Sequence, residues 1–493
     1  MPFVANFPFF CIILTMAGGI ISSILKSKKA YWLNVGVVFT CFIMSLTLLI
    51  NMITNPQSYT FMMGHFPAPW GNEIKFGPFE AMMATTLSIT MLLVVISEKK
   101  RIFENVKESK INLFCLMLNL MLSSLFALIY TNDLFTAYVF IEINTLCACG
   151  LVMAKESGKS IAATIKYLIM SLLGSGLFLV SITLIYDLTG HILMPNVQES
   201  LAVLMSSSKY ILPITIIVGL LAVGIAIKSA LFPFHSWLPN AYNSAMNISN
   251  ALSSGLVLKG YIILLIKIFY RVLGLELFGS LKVSNVLFLF GFLAVIIGSL
   301  DALREFNIKR MLAYSSIAQI GYIFMGIGIG TTAGFLAASF TIIAHSITKA
   351  LLFTSCEGLM SVSDNSRYFS DLKGSALRNP LAGVGFALGA FTMIGVPLLS
   401  GFGSKYMLAM AGMESSRKMW FVLIALAVST LLNAMYFIKV LMTIYTKTDQ
   451  SIVKVKNGFN YTFGVSAFII LNLFVGVFYQ RVVEILATGL ALL

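Results

Sequence analysis

The sequence has little charge. Charged residues make up 11% of its 493 positions, against about 25% in an ordinary soluble domain, and that deficit excludes a soluble globular fold. Histidine is scarce, with four in the whole chain. No HExxH, CxxC, Walker loop or dinucleotide-binding glycine motif is present, so the usual nucleotide and metal signatures are missing. Cysteines do not cluster as iron–sulfur ligands would, and no histidines are paired as for haem. The chain is therefore expected to bind no metal and no cofactor, and to do no redox chemistry itself. Cys11, Cys41, Cys115, Cys147, Cys149 and Cys356 all lie in or beside apolar runs and read as small packing residues.

What fills the chain instead is apolar sequence, 58% of residues with a mean hydropathy of +0.93. Runs of helix-spanning length recur along it, and we count about fourteen of about 20 residues each. The first, 9–25, has no basic segment before it and reads as a retained span rather than a secretion signal. The net charge is +14. Without a soluble fold to carry a basic face, this does not indicate nucleic acid. The basic residues crowd into 26–29, 99–110, 155–159, 304–310, 367–378 and 447–456. These are alternate loops, and the positive-inside rule makes them cytoplasmic. Both termini are then expected on the opposite side.

One stretch organises the rest: 227–260, IKSALFPFHSWLPNAYNSAMNISNALSSGLVLKG. Lys228 closes an apolar run, Pro233 and Pro239 interrupt the chain around His235, and an apolar helix then carries Lys259. A lysine at membrane depth is costly unless it faces protein, water or a countercharge. A helix break beside such a lysine marks a candidate ion path. Further intramembrane groups stand elsewhere. Glu142 is central to an apolar run, where a carboxylate is either neutral or paired with a buried cation. His345 and Lys349 are four apart and share a helix face. Lys405 follows a second break, at Gly395, Pro397, Gly401 and Gly403. Secondary candidates are Lys166, about one turn from a basic loop and able to reach the surface, Glu357, about two turns beyond Lys349 at the cytoplasmic end, and Lys439, a weaker member in a later span. Asn243, Asn247, Asn250 and Ser254 are spaced to share one helix face, which lipid would not tolerate. Lys267, near its helix end, is expected to reach out to the surface. Gly174 and Gly176, with Ser171 and Ser175, suit close helix packing.

The lysine, the PFHSWLP break and the second lysine resemble the antiporter-like subunits shared by respiratory complex I, Mrp-type sodium/proton antiporters and membrane-bound hydrogenases. The likeness continues in DLFTAYVFIE (ending at Glu142), AATIKYL (Lys166), NIKRMLAYSSIAQIG and AHSITKALLF. It departs at NSAMNISNALS and at Asn307, where the family has aspartate. The loop MGHFPAPWG (63–71) is similar to one in the D subunit of Mrp antiporters and its hydrogenase relative.

The resemblance implies an all-α polytopic protein of about fourteen helices, with two inverted five-helix repeats that each contain a broken helix. The expected segments are an N-terminal three-helix part (1–110), repeats at 111–271 and 280–446, and a C-terminal loop and last helix (447–493, the span near 460–488). It implies a proton pathway through Glu142, Lys228, His235, Lys259, His345, Lys349 and Lys405, with Glu142 the partner of Lys228. It also implies membrane-subunit partners in a prokaryotic cell membrane, with protons and possible sodium exchange as cargo. The length and the MGHFPAPWG loop favour an Mrp antiporter or an Mrp-like hydrogenase module as host, with a quinone-reducing NADH dehydrogenase as the alternative. A stand-alone solute carrier is a further alternative.

Overall fold

A computed structural model describes residues 3–63, 66, 72–205, 208–447 and 454–493. Apart from Met63 and Phe66, the MGHFPAPWG loop, His65 included, lies outside the described residues.

The N-terminal part contains α1 (Phe7–Ile24), α2 (Ser27–Thr54), α3 (Pro78–Ser97) and a short α4 (Lys99–Asn105). Two short strands, β1 (Tyr59–Met62) and β2 (Glu73–Phe76), pair antiparallel before α3, a departure from the all-helical expectation. They satisfy each other's backbone groups where no helix does.

Next come α5 (Ile111–Tyr130), α6 (Leu134–Met153), α7 (Gly158–Thr189), α8 (Met194–Met205) and α9 (Ile211–Lys228). After α9 the chain forms α10 (Trp237–Ser244), α11 (Asn247–Leu252) and α12 (Leu258–Ile268), with a π-helical turn, Ser253–Val257, between the last two. Then follow α13 (Leu275–Ser280), α14 (Lys282–Arg304), α15 (Ile308–Ile329), α16 (Thr332–Met360), α17 (Ser375–Arg378), α18 (Pro380–Ile394), α19 (Ser400–Met413), α20 (Met419–Tyr445), α21 (Phe459–Val477) and α22 (Tyr479–Ala491).

Twelve helices among the described residues are long and apolar enough to cross a membrane. Two expected spans are instead assembled from pieces: α11–α12 around the π-helical turn, and α18–α19 around the break at 395–399. The expected last span, near 460–488, is likewise divided, ending at Val477 before the separate α22. α15 and α16 are 94% buried over their most apolar windows, and together with α3 and α5 they form the centre. Buried helices can carry polar side chains inward, and α15 and α16 do.

Glycine sets one of the closest crossings. A Cβ on Gly291 of α14 would lie 2.8 Å from the Gly321 carbonyl of α15, and one on Gly321 would lie 2.7 Å from the Gly291 carbonyl. Substituting Gly321→Ala is expected to destabilise by about 1–3 kcal/mol through overpacking. Gly36→Ala, where nothing lies within 4 Å, is expected to be neutral or mildly stabilising by helix propensity. Thermal unfolding of the purified protein in detergent distinguishes the two.

Candidate functional site

Lys228 is the last residue of α9, fully buried. Its Nζ lies 3.5 Å from Oε1 of Glu142, midway along α6, and donates to Oγ1 of Thr145 at 2.8 Å. Thr145 is three residues beyond Glu142, so helical spacing puts both on one face. Its hydroxyl is 3.2 Å from that of Tyr261 in α12, whose ring centroid is 5.5 Å from Nζ. The helices meet closely here because Gly174 of α7 faces Gly224 of α9, backbone on backbone. Gly176 faces open space, so only half of the expected glycine pair packs. Beyond Lys228 the helix stops, and the carbonyls it frees need donors. Indole Nε1 of Trp237 supplies one, to Ile227 at 3.3 Å. Tyr167 of α7 stacks on that indole, with ring centroids 4.3 Å apart.

Lys259 is fully buried near the start of α12. Its ammonium donates to the Ser254 carbonyl inside the π-helical turn, a local widening that leaves carbonyls free. Ser254 in turn meets Ser316 of α15 at 3.0 Å. Asn247 donates to Glu357 at 2.6 Å and Asn250 to the Tyr242 carbonyl at 2.7 Å. This polar face is turned to protein, as lipid requires. Asn243 does not share it, because α10 ends at Ser244 and the chain is extended at Ala245. Asn243 instead accepts from Asn307 at 2.9 Å and Arg367 at 2.8 Å. Asn307 caps α15 through Oδ1 to the Lys309 and Arg310 amides, a role asparagine fills as well as aspartate.

His345 and Lys349 are both buried in α16. Lys349 donates to the Leu312 carbonyl and the Ser315 hydroxyl of α15, each at 2.9 Å. Lys259 and Lys349 lie within electrostatic reach of His345. Neither imidazole nitrogen has a hydrogen-bond partner among the described residues. His345 faces a small cavity, about 10 Å³ of space for a water's centre, shared with Gln319, Thr348, Thr392 and Lys405. That is roughly one water. At the second break, Lys405 of α19 reaches back to the Ile394 carbonyl at 2.7 Å and to Thr430 of α20 at 2.9 Å. Ile394 is the last residue of α18, so the ammonium sits at the negative end of a half-helix. The turn between the halves puts Gly395 at φ +95° and Leu398 at φ +70°. Glycine takes such a φ freely, whereas leucine there is strained.

Other expected residues stand apart. His235 is part-exposed on the turn after α9, its ring stacked on Phe232 at 5.4 Å. Lys166 is exposed on α7 and lines an open cavity where that helix begins. Lys439 is half-buried over the rings of Phe306 at 4.5 Å and Phe369 at 5.6 Å. Glu357 pairs with Arg101 at 2.8 Å beside a 250 Å³ cavity that also reaches Glu98, Asn247 and Lys309. Burial, reinforced by Glu357, pushes the Glu98 carboxyl well above the usual carboxylate range.

Several buried polar contacts were not expected. Lys267 does not reach the surface. It is fully buried and caps α5 through the carbonyls of Leu128, Ile129 and Thr131, where the helix dipole favours a cation. Arg271 pairs with Glu80 at 2.6 Å, both buried. Amides in apolar runs were the available signal for the rest. Asn472 of α21 bonds Thr348, Thr392 and Ser400, and Asn433 of α20 bonds Tyr436. Among the described residues no group of three His, Cys, Asp or Glu side chains gathers as metal ligands would.

Known proteins resemble this chain over most of its length. Residues 131–454 match the family described as NADH:quinone oxidoreductase/Mrp antiporter, TM. NADH-quinone oxidoreductase subunit N of Desulforudis audaxviator (strain MP104C) is 31% identical over 402 residues, covering 81% of this chain and 78% of the relative. The protein named "Putative antiporter subunit mnhD2" of Staphylococcus aureus (strain JH9) is 28% identical over 411 residues, covering 83% and 79%. The fold is shared with a chain in the Mrp complex from Dietzia sp. DQ12-45-1b (TM-score 0.88, 21% identity, covering 100% of this chain and 97% of that one). It is shared too with a chain of the membrane-bound sulfane sulfur reductase, an archaeal respiratory membrane complex (TM-score 0.86, 23% identity, covering 100% and 97%). With the match extending over more than half its length, the chain belongs to the NADH:quinone oxidoreductase/Mrp antiporter transmembrane family.

Proposed function

We propose that this chain moves protons across a prokaryotic cell membrane as one subunit of a multisubunit complex, through Glu142, Lys228, Lys259, His345, Lys349 and Lys405. The observation that carries this reading is a set of buried amines and an imidazole spanning both helix breaks, each amine held by a carboxylate, hydroxyl or carbonyl. Its partners are other membrane subunits, as in the complexes named above.

Glu142 biases the route. While its carboxylate lies beside Lys228, the ammonium is favoured. When a partner subunit's motion or charge separates the pair, the lysine releases its proton, with Thr145 and Tyr261 beside it to pass the charge on. Lys259 takes up the proton next, and the His345–Lys349 pair receives it. The small cavity then leads to Lys405, which delivers it to one side or to a neighbouring subunit. His235 serves at the mouth of the first break rather than between the lysines. Lys166, Glu357 and Lys439 lie outside the central run, with Glu357 and Glu98 at the basic-loop end.

In the same reading, 111–271 and 280–446 are inverted repeats between the segments 1–110 and 447–493. Lys228 and Lys405 are the corresponding residues at the two breaks. The basic loops are cytoplasmic and both termini lie on the other side. The chain carries no cofactor, and the driving force is either electron transfer in partner subunits or a sodium gradient. A subunit of a quinone-reducing NADH dehydrogenase is the second reading, favoured by the 31% identity to subunit N across 81% of the chain.

Glu142→Gln keeps the shape and removes the countercharge. Assembly with partners should survive, and driven proton transport in proteoliposomes should fall by about tenfold or more, the effect of about 1.4 kcal/mol or more at the buried pair. Full transport in that variant would sink the scheme. Thr145→Val removes only the hydroxyl that accepts from the ammonium and leaves the Glu142 countercharge in place. It should slow transport less than Glu142→Gln does, and Thr145→Ser should restore the rate. Equal rates for the valine and serine variants would remove Thr145 from the route.

A further inference from the structure

A cavity of about 760 Å³ opens at the end of the molecule where α7 begins and α16 ends. Lys155, Lys159 and Lys166 face it from α7 and the loop before it, Lys309 from the start of α15, and Arg367 from the loop after α16. Among the described residues no aspartate or glutamate lines it. Among the described residues none of these cations forms an ion pair. Neighbouring carboxylates are already engaged: Glu357 by Arg101 and Glu156 by Lys107 and Lys110. Two of the cations are held in place, Lys309 on the Ala245 carbonyl at 2.8 Å and Arg367 on that of Asn243 at 2.6 Å. Glu357 lies within electrostatic reach of Lys309, but like charges sharing one cavity still repel, and an anion among them reduces that repulsion.

α7 also gives the cavity an apolar stretch of wall. Ile165 and Ile169 line the cavity and are 54% and 55% exposed. The same outer side of α7 continues through Leu172 and Leu173, both at least half exposed. α7 has 32 residues, roughly 48 Å at about 1.5 Å per residue. That exceeds a hydrocarbon core of about 30 Å, so one helix can line both the headgroup layer and the acyl region. A soluble phosphate would use the cations and leave the isoleucine wall bare.

We infer that this cavity binds an anionic phospholipid, its phosphate among Lys155, Lys159, Lys166, Lys309 and Arg367 and its acyl chains along Ile165 and Ile169. Basic pockets between membrane helices hold such headgroups. The site is separate from the proton route and stands whether or not that route does.

The test titrates spin-labelled phosphatidylglycerol into the complex purified in mild detergent, with phosphatidylcholine and inorganic phosphate as competitors. The wild type should bind the anionic lipid and ignore phosphatidylcholine. K155Q/K159Q/R367Q should bind about a hundredfold more weakly, on the scale of about fivefold per basic residue. K155R/K159R/R367K should bind as the wild type does. Ile165→Ser/Ile169→Ser should lose lipid while keeping all the cations. Should the triple neutral variant fail to assemble, the single variants Lys159→Gln and Arg367→Gln each carry the test with about a fivefold loss. Equal lipid binding by wild type and neutral variants overturns the proposal. So does full displacement by inorganic phosphate with the isoleucine variant unaffected, which assigns a free-phosphate site. Photo-crosslinking from position 165 to a partner subunit instead of lipid overturns it in favour of a protein contact.

Discussion

A cation inside a bundle of apolar helices needs a partner, and an unbroken helix offers few. Its carbonyls are spent on its own hydrogen bonds. For three amines the structure meets this constraint at helix interruptions and ends, while Lys349 shares the Leu312 carbonyl and the Ser315 hydroxyl of the unbroken α15. Lys259 uses a carbonyl in a π-helical turn. Lys405 uses the last carbonyl of a half-helix, and Lys267 the closing carbonyls of α5. Among the described residues, Lys228 alone of the route's amines pairs with a carboxylate, Glu142. A carbonyl fixes an ammonium without cancelling its charge, whereas a carboxylate cancels it. Only the Glu142 pair can therefore hold a proton tightly in one arrangement and release it in another. That asymmetry is why the coupling is placed there.

Much of this was legible in the sequence because rare residues in apolar runs stand out. Lys228, Glu142, Lys259, His345, Lys349 and Lys405 were found that way, and each is buried or half-buried. The breaks were legible from Pro233, Pro239, Gly395 and Pro397. Depth and direction were not. Lys267 looked close enough to a helix end to reach water, but α5 ends against it and takes the ammonium first. Asn243 had the right spacing to join Asn247, but the chain turns at Ala245 between them. Periodicity assumes one continuous helix, and a two-residue interruption cancels it. The π-helical turn and the β1–β2 pair have no strong local signature either.

Charge is divided between the interior and one end of the molecule. The interior holds the amines of Lys228, Lys259, Lys349 and Lys405, with Glu142 paired to the first. The basic-loop end holds both the Glu98–Arg101–Glu357 group, beside a cavity reaching Asn247, and the acid-free cavity against α7. These two cavities share Lys155 and Lys309. An anionic lipid in the larger would lower the positive potential over the smaller, so the membrane's own charge bears on the end from which Asn247 and Ser254 lead inward.

The central claim is that Lys228 and Lys405 are links in one route rather than ends of two. Driven proton transport by the purified complex should be measured in proteoliposomes for Lys228→Leu, for Lys405→Leu and for the double variant, with assembly checked in each. With one route, each single variant falls to background and the double variant falls no further. If either single variant keeps about half the rate and only the double variant loses it all, the two lysines act independently, and the single route is wrong.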